Sequence, residues 1–246
     1  IIVADGNFHG RTTTIISFSS EPNSKDDFGP HTPGFISVEF GNSQAVEDAI
    51  TKNTAAVLFE PIQGEGGIIE PPENWLSDVR EICDRNNVLM ILDEVQSGLG
   101  RTGKLFAYEH ANIRPDGLIL GKALGGGFMP VSVFLSSEAV LQWMNPGSHG
   151  STFGGNPLGS AIAKRSLELL EEEGLIENSR VMGDYFKESL LALNSPIIKE
   201  IRGKGLWLGV EIDQNYISGK DLSKLLLKKG ILCKETRDTT IRFAPP

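Results

Sequence analysis

Short, continuous apolar runs that stop abruptly at polar or glycine residues recur through the first half of the chain, at residues 55–59, 88–92, 118–120 and 131–135. Runs of this length with no polar alternation read as strands buried on both faces. Between the first two, Trp75, Leu76, Val79, Ile82 and Cys83 follow the helical i, i+3, i+4 pattern, with Glu73 and Asp78 near its start. Strand, helix, strand is the unit of a parallel sheet, so the pattern predicts an α/β fold with a mostly parallel sheet.

The vocabulary changes further along. Asn156 and Pro157 supply an N-cap and a first-turn proline for a helix predicted over 158–173, and Gly174 supplies its stop. An amphipathic stretch at 175–193, a strand at 206–212, a helix at 219–229 and strands at 231–233 and 240–243 then form an α+β segment. The expected division is a large unit over 1–172 and a smaller one over 173–246. Ile1 opens in mid-pattern without Met, and Pro246 follows closely on an apolar stretch, so the N-terminal part of the first unit and the C-terminal end of the second are expected to be missing.

Composition removes several functions. With 23 Lys and Arg against 32 Asp and Glu the formal charge is −9, and no basic patch offsets it, which argues against nucleic-acid and anionic-membrane partners. No apolar run approaches the roughly 18 residues of a membrane span. Cys83 and Cys233 stand far apart without a CxxC pair, against a disulfide framework or cysteine zinc site and in keeping with a reducing compartment. No metal site is expected.

One motif points toward nucleotides. Gly98-Leu99-Gly100-Arg101-Thr102-Gly103 matches GxGxxG after a strand, which keeps a nicotinamide-dependent oxidoreductase open as an alternative. Five residues separate it from the strand end, however, and no acidic residue ends the next strand. The same stretch nearly spells a P-loop, but Leu105 stands where a hydroxyl is needed.

The strand ends are more informative, because ligands of open α/β sheets bind beyond the carboxyl edge. One strand leads to Glu60 and Glu65, the next to Asp93 and Gln96, and a third to Lys122 within Gly121-Lys122-Ala123-Leu124-Gly125-Gly126-Gly127. A carboxylate, an amide and a lysine together suit pyridoxal 5′-phosphate (PLP), which needs a lysine amine for its Schiff base and a carboxylate against its pyridine nitrogen. Partial burial lowers a lysine pKa in the sense this chemistry requires. The hydroxyls of Gly147-Ser148-His149-Gly150-Ser151-Thr152 are candidate phosphate donors.

Asn7-Phe8-His9-Gly10-Arg11-Thr12, Glu60-Pro61-Ile62-Gln63-Gly64-Glu65, Leu92-Asp93-Glu94-Val95-Gln96-Ser97-Gly98, Gly121-Lys122-Ala123-Leu124 and His149-Gly150-Ser151-Thr152-Phe153-Gly154-Gly155-Asn156-Pro157, in this order and spacing, resemble the class III PLP-dependent ω-aminotransferases. The likeness covers nearly the whole chain. Within that class, the wording of residues 118–124, 232–236 and 241–246 is most similar to members that act on ornithine, with those acting on N-acetylornithine or another ω-amine close behind.

The resemblance implies fold type I: a mostly parallel seven-stranded sheet, a small domain built from both chain ends, and a homodimer with shared active sites. It makes Lys122 the Schiff-base lysine, Asp93 the partner of the pyridine nitrogen, Gln96 a donor to the ring hydroxyl and Phe8 the stacking ring. Ser151 and Thr152 would bind phosphate, Thr152 that of the neighbouring subunit's cofactor. His9, Arg11, Glu60, Glu65 and Arg242 would face the substrate, with Arg11 binding a carboxylate. Glu65 and Arg242 would form an ion pair that opens when 2-oxoglutarate or glutamate replaces ornithine. A class III phosphate loop of Ser-Gly type would lie upstream of Ile1. Bacterial cytosol and mitochondrial matrix both suit such a composition, and a non-catalytic binding homologue is disfavoured by Asp93, Lys122, Arg11 and Arg242.

Overall fold

A computed structural model describes residues 1–246. β1 (Ile2–Ala4) leads into two short helices, α1 (Thr13–Ile16) and α2 (Pro22–Lys25), then β2 (Ile36–Val38) and α3 (Ser43–Ala49). The next unit is β3 (Ala56–Phe59), α4 (Trp75–Asn86) and β4 (Leu89–Asp93), followed by β5 (Gly117–Leu120), β6 (Val133–Ser136) and α5 (Glu138–Leu141). These six strands form one sheet in the order β2-β1-β3-β4-β5-β6, parallel except for β6. Two long helices, α6 (Pro157–Glu172) and α7 (Leu175–Ala192), precede a second sheet built from β7 (Ile198–Lys204), β8 (Trp207–Ile212), β9 (Lys234–Thr236) and β10 (Thr240–Phe243). That sheet is antiparallel in the order β7-β8-β10-β9, with α8 (Gly219–Lys228) inserted between β8 and β9. No helix is long and apolar enough to cross a membrane.

The strand-helix-strand unit forms where the apolar pattern predicts it. Trp75, Leu76, Val79, Ile82 and Cys83 are buried against Phe59, Met90 and Leu92, and Asn87 at φ 55° ends α4 in the left-handed conformation. Asn156 caps α6 by accepting from the Gly159 amide, and Gly174 at φ 63° joins α6 to α7.

Two expectations differ from the structure. The run at 131–135 becomes β6, an antiparallel strand with β5 as its only neighbour, so Phe134 and Leu135 are exposed instead of buried. The sheet holds six strands, where the resemblance implies seven for the whole family fold. Residues 231–233 are not a strand, because the α8 terminus closes with the amides of Gly230 and Ile231 donating to Leu227 and Leu226. Extended pairing starts only at Lys234.

The glycine-rich 98–103 stretch opens no helix. Gly98 lies so close to Glu94 that a Cβ would meet the Glu94 carbonyl oxygen at 2.8 Å. Gly103 packs on Arg180 of α7, and Arg101 donates to the Leu206 carbonyl at 3.0 Å. These contacts give the glycines a packing role and remove the geometry of a dinucleotide turn.

Candidate active site

Parallel pairing sets the carboxyl ends of neighbouring strands level, with Phe59 opposite Leu92 and Asp93 opposite Ile119. The residues that follow therefore converge. Phe8 and His9 beyond β1, Glu60 and Ile62 beyond β3, Asp93, Val95 and Gln96 at and beyond β4, and Lys122 beyond β5 line one cavity of about 190 Å³. Phe8, Ile62 and Val95 give it apolar walls, and the carboxylate and amine give it polar ends.

Asp93 is buried and held from two directions. Its Oδ1 accepts from the Val95 amide at 3.0 Å, and its Oδ2 lies 2.8 Å from His9 Nδ1. The His9 side chain, expected on the substrate side, lines the cavity and is 2% exposed, packed against Asp93 and the Phe18 ring. The segment leading into His9 is held at two residues: the Asn7 side-chain amide donates to the Ala4 and Phe18 carbonyls, and the Phe8 backbone amide donates to Glu60, 52 positions away. His9 Nε2 is buried without a protein partner.

Glu60 lines the cavity, but its carboxylate accepts from the amides of Phe8 at 3.0 Å and Gly64 at 3.2 Å. Both oxygens thus brace backbone at the cavity wall. Burial pushes its carboxyl up to about 7, against the opposing influence of His9 and the two amides.

Lys122 sits at φ 44°, a left-handed conformation that is costly for a side chain with a Cβ and tends to mark functional positions. Lys122 is exposed overall, yet desolvation by the surrounding loops lowers its ammonium below the ordinary value, while Glu65 pulls the other way.

At the rim, Glu65 is the centre of a charged cluster that joins the two sheets. Its Oε1 lies 2.8 Å from Arg242 NH1 on β10, and its Oε2 lies 2.9 Å from Lys234 Nζ on β9. Gln96 donates to Glu65 at 3.3 Å and accepts from Arg242 at 3.3 Å, linking this cluster to the cavity lining. Gly64 lets Gln96 approach, since a Cβ there would stand 2.8 Å from its amide nitrogen. Burial raises the Glu65 carboxyl, but Arg242 and Lys234 outweigh it and hold the group at about 2.

Lys234 and Thr236, whose hydroxyl donates to the Glu65 carbonyl at 2.6 Å, were not singled out in the sequence. Their positions opposite Arg242 and Thr240 are a matter of strand register, which the sequence pattern does not carry. Arg11 is exposed, its guanidinium carbon 5.8 Å from the centroid of the Phe8 ring. Ser151 and Thr152 are exposed and do not line the cavity; Ser151 Oγ accepts from the Gly154 amide. A larger cleft of about 580 Å³ beside β5 and β6, near Tyr108, Arg114 and Leu135, brings no lysine or carboxylate pair of this kind together.

All of residues 1–246 match the family described as Aminotransferase class-III. The chain is 52% identical over its full length to an ornithine aminotransferase of Brevibacillus brevis and 54% identical to an ornithine aminotransferase 2 of Staphylococcus aureus, covering 61% of each. It thus spans about three fifths of the length of these curated relatives. An ornithine aminotransferase structure from Toxoplasma gondii, with partial PLP occupancy at its active site, superimposes with a TM-score of 0.97 at 42% identity, over 100% of this chain and 58% of that one. An acetylornithine aminotransferase of Elizabethkingia anophelis gives a TM-score of 0.84 at 38% identity, over 100% of this chain and 59% of the other.

Proposed function

The chain belongs to the class-III aminotransferase family, and from that premise we propose that the protein transfers the δ-amino group of ornithine to 2-oxoglutarate with PLP, giving glutamate semialdehyde and glutamate. The observation that carries this reading is the placing of Lys122 and Asp93 on one cavity whose Gln96 wall touches the Glu65–Arg242 pair. The ornithine aminotransferases among the relatives favour ornithine over N-acetylornithine as the amine donor.

The cavity suits PLP in its donor set: Phe8 and Val95 supply apolar faces, Asp93 supplies an anion already oriented by His9 and the Val95 amide, and Lys122 supplies the amine. PLP bound there supplies an electron sink for the carbon from which the amino group is transferred. Asp93 would hold the ring nitrogen, its side chain already fixed by His9 and the Val95 amide. Lys122 lines the same cavity, where desolvation lowers its ammonium below the ordinary value, and Nζ is the group that would take a proton from the substrate carbon and return it. Arg11 at the mouth offers a forked guanidinium to the α-carboxylate of ornithine.

Arg242 stays with Glu65 while ornithine presents its terminal amine, and turns to a carboxylate when a dicarboxylate enters. Exchange of one anion for another costs less than exposing a desolvated arginine to none.

The same reading assigns Ser151 and Thr152 to phosphate binding, Thr152 to the phosphate of a neighbouring protomer in a homodimer. Support comes from the exposed apolar side chains Trp143, Met144 and Phe153 in and just before their loop. In this reading the large unit runs over 1–172 and the small one over 173–246, and the bacterial curated relatives favour a cytoplasmic location over a mitochondrial one.

The deciding assay gives the purified protein PLP with ornithine or N-acetylornithine, and 2-oxoglutarate as acceptor. Glutamate formed faster from ornithine is the expected result. Faster reaction with N-acetylornithine moves the assignment to that substrate, and no amino transfer from either refutes the proposal.

A further inference from the structure

Lys234 and Arg242 are direct cross-strand partners on β9 and β10. Two cations opposite each other in an antiparallel pair repel, and an arrangement of this kind persists where an anion lies between them. Glu65 is that anion, with one carboxylate oxygen on each cation, at 2.9 Å from Lys234 and 2.8 Å from Arg242. The three are not equally placed: the Arg242 side chain is 15% exposed and reaches Gln96 on the cavity wall, whereas the Lys234 side chain is 59% exposed.

We infer that Lys234 is a positioning residue for the Glu65–Arg242 pair, holding Glu65 in place when Arg242 leaves it and thereby setting the preference for dicarboxylate over monocarboxylate ligands. This rests on the proposed exchange of Arg242 between Glu65 and a substrate carboxylate. Loss of Arg242 strips a half-buried carboxylate of its nearer cation. With Lys234 still on Oε2, and Thr236 fixing the Glu65 backbone through a 2.6 Å bond to its carbonyl, the group keeps both a counter-charge and its position. Lys234 therefore favours the open arrangement, in which Arg242 meets a second carboxylate.

The test uses the PLP-loaded protein and two unreactive ligands, glutarate with two carboxylates and valerate with one, titrated calorimetrically. The wild type is expected to prefer glutarate. Lys234→Met is expected to reduce that preference by about three- to tenfold, the size of one partly exposed ion-pair coupling. It should raise the KM for 2-oxoglutarate while the KM for ornithine moves far less. Lys234→Arg should restore the preference, and Lys234→Met should have no further effect in a Glu65→Gln background. An unchanged preference in Lys234→Met, or a loss that persists without the Glu65 charge, overturns the role of Lys234 alone. A wild type that does not distinguish the two ligands overturns the Arg242 exchange and, with it, the role of Lys234.

Discussion

Glu65 and Arg242 lie 177 positions apart, yet the Arg242 guanidinium stands 2.8 Å from the Glu65 carboxylate, joining the loop beyond β3 to the last strand of the second sheet. This pair is both a tie between the sheets and the proposed gate for the second substrate. If it is the gate, Glu65→Ala frees Arg242 to bind a carboxylate throughout the cycle. The ratio of kcat/KM for ornithine to that for glutamate is then expected to fall by about tenfold or more, as for loss of one partner in a desolvated charge pair. Comparing the two half-reactions under single-turnover conditions checks this, and an unchanged ratio removes the gate.

The same carboxylate makes the joint acid-sensitive. Glu65 is held at about 2 in the fold against an ordinary value of 4.5. An acid whose folded value is depressed contributes stability that is complete above the unfolded value and disappears as pH falls through the folded one. Stability against urea should therefore drop between pH 4.5 and about 2, and the drop should be shallower in Glu65→Gln. Parallel curves for the two proteins would show that the pair carries no linkage.

Glu60 behaves in the opposite sense. Burial raises it to about 7 from 4.5, so the folded state retains a proton that the unfolded chain has released. Its contribution to stability consequently declines as pH rises from 4.5 to about 7. Glu60→Gln should remove that decline, seen as a wild-type minus variant difference that changes across this window and is flat outside it.

His9 braces Asp93, and removing it leaves a buried carboxylate oxygen without its side-chain donor. His9→Ala is expected to cost ~1–3 kcal/mol of stability by urea unfolding. A variant as stable as the wild type would mean that solvent replaces the imidazole at no cost.

Much of this arrangement is legible in the chain. The β3-α4-β4 unit follows from apolar runs around a helical period, and the line-up of Glu60, Asp93 and Lys122 follows from parallel strands ending level. What escaped the reading depends on contacts distant in sequence. The segment leading into His9 is held by hydrogen bonds that Asn7 and Phe8 make with neighbouring loops. β7, which is half-exposed over most of its length, carries no continuous apolar run to announce it and forms because β8 offers a partner. Lys234 acquires meaning only once β9 is paired with β10, because its relation to Arg242 is one of register. The glycines at 98–103 mislead for the same reason: their spacing matches a nucleotide turn, whereas their need for small size comes from Glu94 and α7.

The central claim is that Lys122 is the amine that joins the cofactor. Exchange of Lys122 for Ala should lower turnover by about 10²–10⁴ if Nζ also moves the proton, but a rate alone does not identify the attachment site. The direct measurement incubates the protein as the cell makes it with PLP, reduces with borohydride and maps the labelled peptide by mass. A single pyridoxyl group on Lys122, absent from Lys122→Ala, is the predicted result; label on another lysine, or none in a folded protein, would contradict the account.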